Sequence, residues 1–185
     1  MTLIMRYPEG HKAQVKQRIV QEASRALRKS GLAGISIPSL MKKAGLTHGG
    51  FYAHFRDRDE LVAQAIRSAA QETAASVLSP ELSPAESLNR YLSMAHVTHP
   101  EGGCVLAALG TDAAHQPARV RAAFSDVAQG FLQLNEHKVH AQNPNDTPSD
   151  AALLQAATMV GAVILARLVK DPVLAERILA AARAR

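Results

Sequence analysis

Between Lys12 and Ser30 the apolar residues Val15, Ile19, Ala23 and Leu27 recur every four positions, with Ala26 widening the stripe. That period belongs to a helix with one buried face and not to a strand, whose side chains alternate every second residue. Helical spacing returns along the whole chain, and no alternating run long enough for a strand replaces it. Aromatics make up only 4% of the 185 residues and Trp is absent. That composition suits close-packed helices better than a β-sandwich. An all-α fold follows.

Capping residues and breakers divide the pattern. Gly31 closes the first helix. Ser36 is an N-cap with Pro38 in the first turn of a second helix, which Gly45 ends. Thr47 caps a short third helix from His48 to about His54. Asp57 and Glu60 form a capping box for a fourth, which buries Leu61, Ala65 and Ala69 and ends near Val77. A Ser/Pro-rich linker covers 79–84. Ser83, Pro84 and Glu86 then supply an N-cap, a Pro at the first helical position and an acidic N3 for a helix burying Leu88, Tyr91, Leu92 and Ala95. The segment 99–103 breaks the chain before a short helix from Cys104 to about Ala113. Pro117 opens a long helix to about Ala141, with Val120, Phe124, Val127, Phe131 and Leu134 spaced like a coiled-coil seam. After a polar loop at 143–148, the most apolar helix runs from Asp150 to about Val169, and Asp171-Pro172 starts a last one bearing Leu174 and Ile178.

Charge is distributed unevenly along these elements. Residues 1–56 hold ten Lys and Arg against Glu9 and Glu22, a net of +8, while the remaining 11 basic and 14 acidic residues net −3. A basic head on a mildly acidic body points to a polyanion partner for the head; a merely solvated basic face is the alternative. Within the head, Ser36 to Phe55 is helix, glycine turn and short helix, which sets the N-terminus of the second helix at a fixed angle for a DNA major groove. Gly49 and Gly50 weaken that short helix by about 1 kcal/mol each relative to Ala, a cost tolerated where backbone approaches another surface.

The run from Ala44 to Phe55 (AGLTHGGFYAHF), followed by Arg58-Asp59-Glu60-Leu61, closely resembles the signature of TetR-family transcriptional regulators, and Arg18-Ile19-Val20, Ala23 and Gly31 match the family's first helix. The resemblance covers about residues 12–65. It implies a homodimer with a DNA-binding head at 1–56, a connecting helix at 57–78 and an effector-binding and dimerisation domain at 79–185. It also implies a near-palindromic double-stranded DNA operator as partner, and a small-molecule effector that most simply releases a repressor. Carried over by position, Ser36 caps the helix touching the DNA backbone, Thr47, His48 and Gly49 open the recognition helix, and Tyr52 and His54 stand where phosphate contacts are common. Arg58 stands where the family usually has Lys, and Met41 where it has a smaller residue. Lys43, beside Lys42 and Arg56, supplies phosphate attraction.

The body offers no catalytic grouping, so no enzyme activity, cofactor or metal is expected. His96, His99 and Cys104 lack a further ligand for zinc. His137 and His140 suit a helix C-terminus, and Asn145-Asp146-Thr147 matches a glycosylation acceptor that means little without a signal. Tyr91, Met94, Cys104, Leu106, Phe124, Phe131 and Met159 are candidate walls of a mostly apolar effector pocket bounded by 84–135 and the helix after Asp150. A dimer is expected through the long helix before Asn143 and the apolar helix after Asp150, with Phe131, Leu134, Ala157, Val160, Gly161, Ile164 and Leu168 at the interface. Cys104, the single Cys, follows Gly102-Gly103 at a helix start that favours a thiolate. Charged His96 or His99 would reinforce it, making an electrophile- or redox-sensing repressor an alternative to a plain buried thiol. An effector-free architectural DNA-binding protein is a further alternative. The first ten residues lack the apolar stretch of a secretory signal, and the uncharged run 151–166 is short for a membrane span. A cytoplasmic protein without a membrane partner is expected.

Overall fold

A computed structural model describes residues 10–140 and 146–184. The first nine residues, Ala141 to Asn145 (with half of the expected polar loop and the start of the glycosylation match) and Arg185 lie outside the described residues, as does the side chain of His48. Among the described residues all regular structure is helical: α1 (His11–Ser30), α2 (Ile37–Lys43), a 3-10 segment (His48–Ala53), α3 (Arg58–Ser76), α4 (Pro84–Tyr91), α5 (Met94–Thr98), α6 (Val105–Leu109), α7 (Ala118–Val139), α8 (Asp150–Leu168) and α9 (Pro172–Arg183).

The helix starts follow their caps. Ser36 Oγ accepts the Ser39 N–H at 3.4 Å, and Ser83 and Glu86 close a reciprocal box, with Ser83 N–H donating to Glu86 Oε2 at 2.9 Å. The box expected at Asp57 is only half formed. Asp57 Oδ1 accepts the Glu60 N–H at 2.7 Å, but the Glu60 carboxylate turns to the Arg56 N–H at 2.9 Å. Two expected helices divide. Leu92 leaves helical geometry and Ser93 caps α5 through the His96 N–H, so the helix expected to run through Ala95 stops at Tyr91. The helix expected over Cys104–Ala113 becomes α6 and a separate 3-10 turn, Gly110–His115.

Packing gives two apolar cores. One joins α1, α2, the 3-10 segment and α3 to Val105 and Leu109 of α6 and to Val120, Ala123, Phe124 and Val127 of α7. The other gathers Leu78, Tyr91, Leu92, Cys104 and Phe131 with the inner faces of α8 and α9. Helix α3 packs on both α1 and α7, α7 on α8, and α8 on α9. Polar ties fix the joints. Glu136 of α7, fully buried, accepts the Ser149 N–H and O–H at 2.9 and 2.6 Å, anchoring the start of α8, and also faces His140 at 3.0 Å. Lys138 Nζ donates to the Ser79 and Leu82 carbonyls and pins the linker. Helix α8, at 19 residues, is longer than the uncharged run suggested, and by length and composition it could cross a membrane. Here Ala152, Ala156, Met159, Ala162, Val163 and Ala166 are buried within the body.

Candidate nucleic-acid interface and body cavity

Gly45 makes the turn of the helix-turn-helix. Its φ of 74° is left-handed, where a side chain would be strained, and the Leu46 N–H folds back to the Met41 carbonyl at 2.8 Å. Phe51 and Phe55, both buried, stack at 5.4 Å between centroids and seat the 3-10 segment on the head core. Met41 fits the same core with no exposed surface, so its size is accommodated. Tyr52 points the other way, with its ring edge-on to Phe51 at 5.2 Å, and is 67% exposed. Thr47, Gly49, Lys43 and Ser36 are also exposed. A Cβ added at Gly49 would meet nothing in this chain, so internal packing does not require glycine there.

Two expected contacts are partly withdrawn from solvent. Arg58, half-buried, donates from Nη2 to the Leu32 carbonyl and ties α3 to the turn after α1. His54 is half-buried beside Phe55. Desolvation first, then Lys12 and Lys16, lower its pKa, so the imidazole is mainly neutral at pH 7. The head's positive charge is also unevenly exposed. Lys12, Arg18, Arg25, Lys29, Lys42, Lys43 and Arg56 face solvent, whereas the Arg28 side chain is completely buried. Its guanidinium donates to Ser24, to the Gly103 carbonyl at 2.9 Å and to Glu72 Oε2 at 2.5 Å, joining α1 to α3 and the body. A second joint is the bidentate pair of Arg119 of α7 with Asp57, at 2.9 Å to each oxygen.

Between α3, α6 and α7 lies a cavity of about 280 Å³, lined chiefly by Ala70, Ala74, Leu78, Leu106, Phe131 and Leu134. At its mouth Arg67 pairs with Asp126 at 2.7 Å. Of the expected pocket residues, it brings together Cys104, Leu106 and Phe131. Tyr91 is fully buried behind them and Met94 is half-buried on the second core. Phe124 lies in the first core and borders a surface hollow, and Met159 borders a separate cavity among α7, α8 and α9. The wall contributed by α3 lies outside the expected bounds. The signal for it is Ala70 and Ala74, small residues one turn apart that leave room facing α7.

A second cavity of about 220 Å³ shares Thr73 and Cys104 with the first and reaches His96 and His99. Cys104 is buried, and its N–H donates to His96 Nε2 at 2.9 Å, while His96 Nδ1–H donates to the Tyr91 carbonyl at 2.7 Å. Burial lowers the His96 pKa to about 4. The expected help of a charged His96 to a Cys104 thiolate is therefore absent at neutral pH.

Of the expected interface residues, Phe131 is buried in its own subunit and Leu134 lines the first cavity. Ala157 and Leu168 are exposed, and Val160, Gly161 and Ile164 half-buried. Apart from Tyr52 of the head, the exposed large apolar side chains among the described residues lie on α8 (Leu153, Leu154, Leu165, Leu168) and at the start of α9 (Val173, Leu174).

A basic head carrying a helix-turn-helix, set on a helical body with an apolar cavity, is the arrangement expected of a DNA-binding regulator. Comparison with known proteins agrees. The family described as bacterial regulatory proteins, tetR family, matches residues 19–65. An HTH-type transcriptional regulator of Mycobacterium tuberculosis is 26% identical over 166 residues, 84% of this chain and 86% of its own. A TetR regulator from Chloroflexus aurantiacus superposes with a TM-score of 0.70 at 23% identity, covering 94% of both chains. E. coli NemR in its reduced form gives 0.71 at 18%, covering 92% and 94%. AibR in complex with isovaleryl coenzyme A and operator DNA gives 0.63 at 16%, covering 92% and 96%. Residues 19–65 thus match the tetR-family model, and the whole chain has the fold of the TetR regulators on which it superposes.

Proposed function

We propose that this regulator is a cytoplasmic homodimeric repressor that leaves a near-palindromic operator when a small, mostly apolar effector fills the cavity between α3 and α7. The observation that carries the reading is the position of α3. One end follows directly from the 3-10 segment and holds the head through Arg58, and the other forms a cavity wall through Ala70 and Ala74. A ligand that favours one spacing of α3 and α7 would change the head's placement, and operator affinity falls by its differential affinity for the two states. The division into a head at 1–56, a connecting helix at 57–78 and a body at 79–185 is part of this reading, with α3 as the shared element. The exposed apolar face of α8 and α9 supports a dimer in which two such faces pack as four helices. The AibR complex supports the pairing of ligand and operator on one such fold.

In the complex, Ser36, Thr47, His48, Gly49 and Tyr52 would approach the duplex, with Lys43 and its exposed basic neighbours supplying phosphate attraction. The test is gel-shift titration of DNA upstream of the gene, scanned in overlapping duplexes. One duplex should bind in strong preference to the others. Tyr52→Ala should erode that preference, and Lys43→Ala should weaken every duplex evenly. Equal binding to all duplexes would replace the repressor reading with an architectural one.

A further inference from the structure

Tyr91 carries a polar atom that nothing among the described residues satisfies. The residue is 0% exposed, and its hydroxyl has no hydrogen-bond partner there. Burial, above all, pushes the phenol pKa well above its ordinary value, so the group is a protonated donor. Buried hydroxyls without a partner are rare because each carries the full cost of its lost hydration. The ring packs 5.7 Å from Phe131 and edge-on to His96 at 4.7 Å, and the phenol is close enough to the Cys104 thiol for the two to interact. Sulfur is a weak acceptor and leaves that donor largely unused. Phe131 and Cys104 both line the cavity between α3 and α7, so the hydroxyl stands directly behind that wall. Cys104 turns about a single torsion. With Thr73 it also lines the second cavity, and a ligand in the first would have to turn that thiol aside to reach the phenol.

Of the other polar groups around the space, Thr73, Arg67 and Asp126 are engaged, while Gln71 lies exposed on the α3 wall. Thr73 donates to the Ala69 carbonyl at 3.1 Å, and Arg67 and Asp126 pair with each other at the mouth. Away from these groups the lining is mostly apolar, an environment in which an unpaired ligand charge would be costly. We propose that this cavity takes a small, uncharged, largely apolar molecule bearing one carbonyl oxygen, and that the Tyr91 hydroxyl is the donor that selects it. The inference rests on the effector-cavity reading and adds the chemical class of the ligand. A volume of about 280 Å³, at the lower edge of the roughly 300–1,000 Å³ of ligand pockets, keeps that molecule small.

The experiment is calorimetric titration of the full-length protein and of Tyr91→Phe with two probes of matched shape, acetophenone and ethylbenzene. Neither reacts with a thiol. Tyr91→Phe should weaken acetophenone by about tenfold and leave ethylbenzene unchanged or tighter, the size expected when one buried donor loses its partner. Without ligand the variant should melt no lower than the parent, because it loses only an unsatisfied hydroxyl. Equal changes for the two probes, no change for either, or a variant that melts several degrees lower would overturn the role of Tyr91 while leaving the effector cavity standing. Failure of both probes to bind the parent protein would overturn the cavity reading itself.

Discussion

Replacing Arg28 by Met keeps an unbranched apolar stem and removes its donors. Four hydrogen bonds are lost: two to Ser24, one to the Gly103 carbonyl and one to Glu72. They are not equal. Glu72 keeps 38% of its side-chain surface and can rehydrate, so its pairing is worth at most about 1 kcal/mol. Gly103 is buried and its carbonyl would be left facing a thioether, at about 1–3 kcal/mol. The fully buried Ser24 hydroxyl adds a smaller loss. Relief of the guanidinium's own desolvation offsets part of this. The net is a destabilisation of about 2–3 kcal/mol. At about 2–4 °C per kcal/mol for a chain of this size, Tm falls by roughly 4–12 °C. Glu72→Gln, which retains an acceptor and removes only the charge, should cost under about 1 kcal/mol. Urea and thermal melts followed by far-UV circular dichroism measure both. An Arg28→Met protein as stable as its parent, or a Glu72→Gln protein just as damaged, would refute the assignment of the energy to the buried carbonyl.

The pH dependence of stability should carry a His96 signature. Its folded pKa is about 4 against an ordinary value of 6.5. Between these values the unfolded chain binds the extra proton, so stability is full above about pH 6.5 and falls as pH drops toward 4, by about 3 kcal/mol at the limit. Melts from pH 7.5 to 4 should show this slope, and His96→Gln, which can still donate and accept, should flatten it. Leu168 is 74% exposed on the apolar face of α8. Leu168→Glu should shift light scattering from dimer toward monomer without lowering helix content; a monomeric parent protein would refute the dimer.

Local chemistry was legible in the sequence because a cap involves residues only two to four apart. Ser36, Ser83 and Asp171 start helices as their spacing implies, and the Gly45 turn with Phe51 and Phe55 beneath it is written within twenty residues. Ser93 was not legible as a cap. It sits within an apolar spacing that continues through Leu92 to Ala95, and only the turn of the chain at Leu92 exposes its role. Arg28 reads from sequence as one more surface cation. Its burial depends on Gly103, 75 positions away, and on Glu72.

The body was harder to read for a more general reason. Periodicity identifies which residues of a helix are apolar, but it does not say what covers them. In α7 the spacing of Val120, Phe124, Val127, Phe131 and Leu134 resembles a dimer seam. In the folded chain Val120, Phe124 and Val127 join the first core, Phe131 packs into the second, and Leu134 borders the cavity against α3. A helix enclosed by partners of its own subunit has no large apolar face left over. Helix α8 is apolar around most of its circumference, so its pattern favours no face. Burial against α7 and α9 decides which residues remain outside, and these are Leu153, Leu154, Leu165 and Leu168. The face left exposed is thus fixed by subtraction after the internal packing is complete. The same reasoning places the cavity: where the small side chains of α3 fail to fill the space facing α7, the fold leaves it open, with the buried Tyr91 hydroxyl close by.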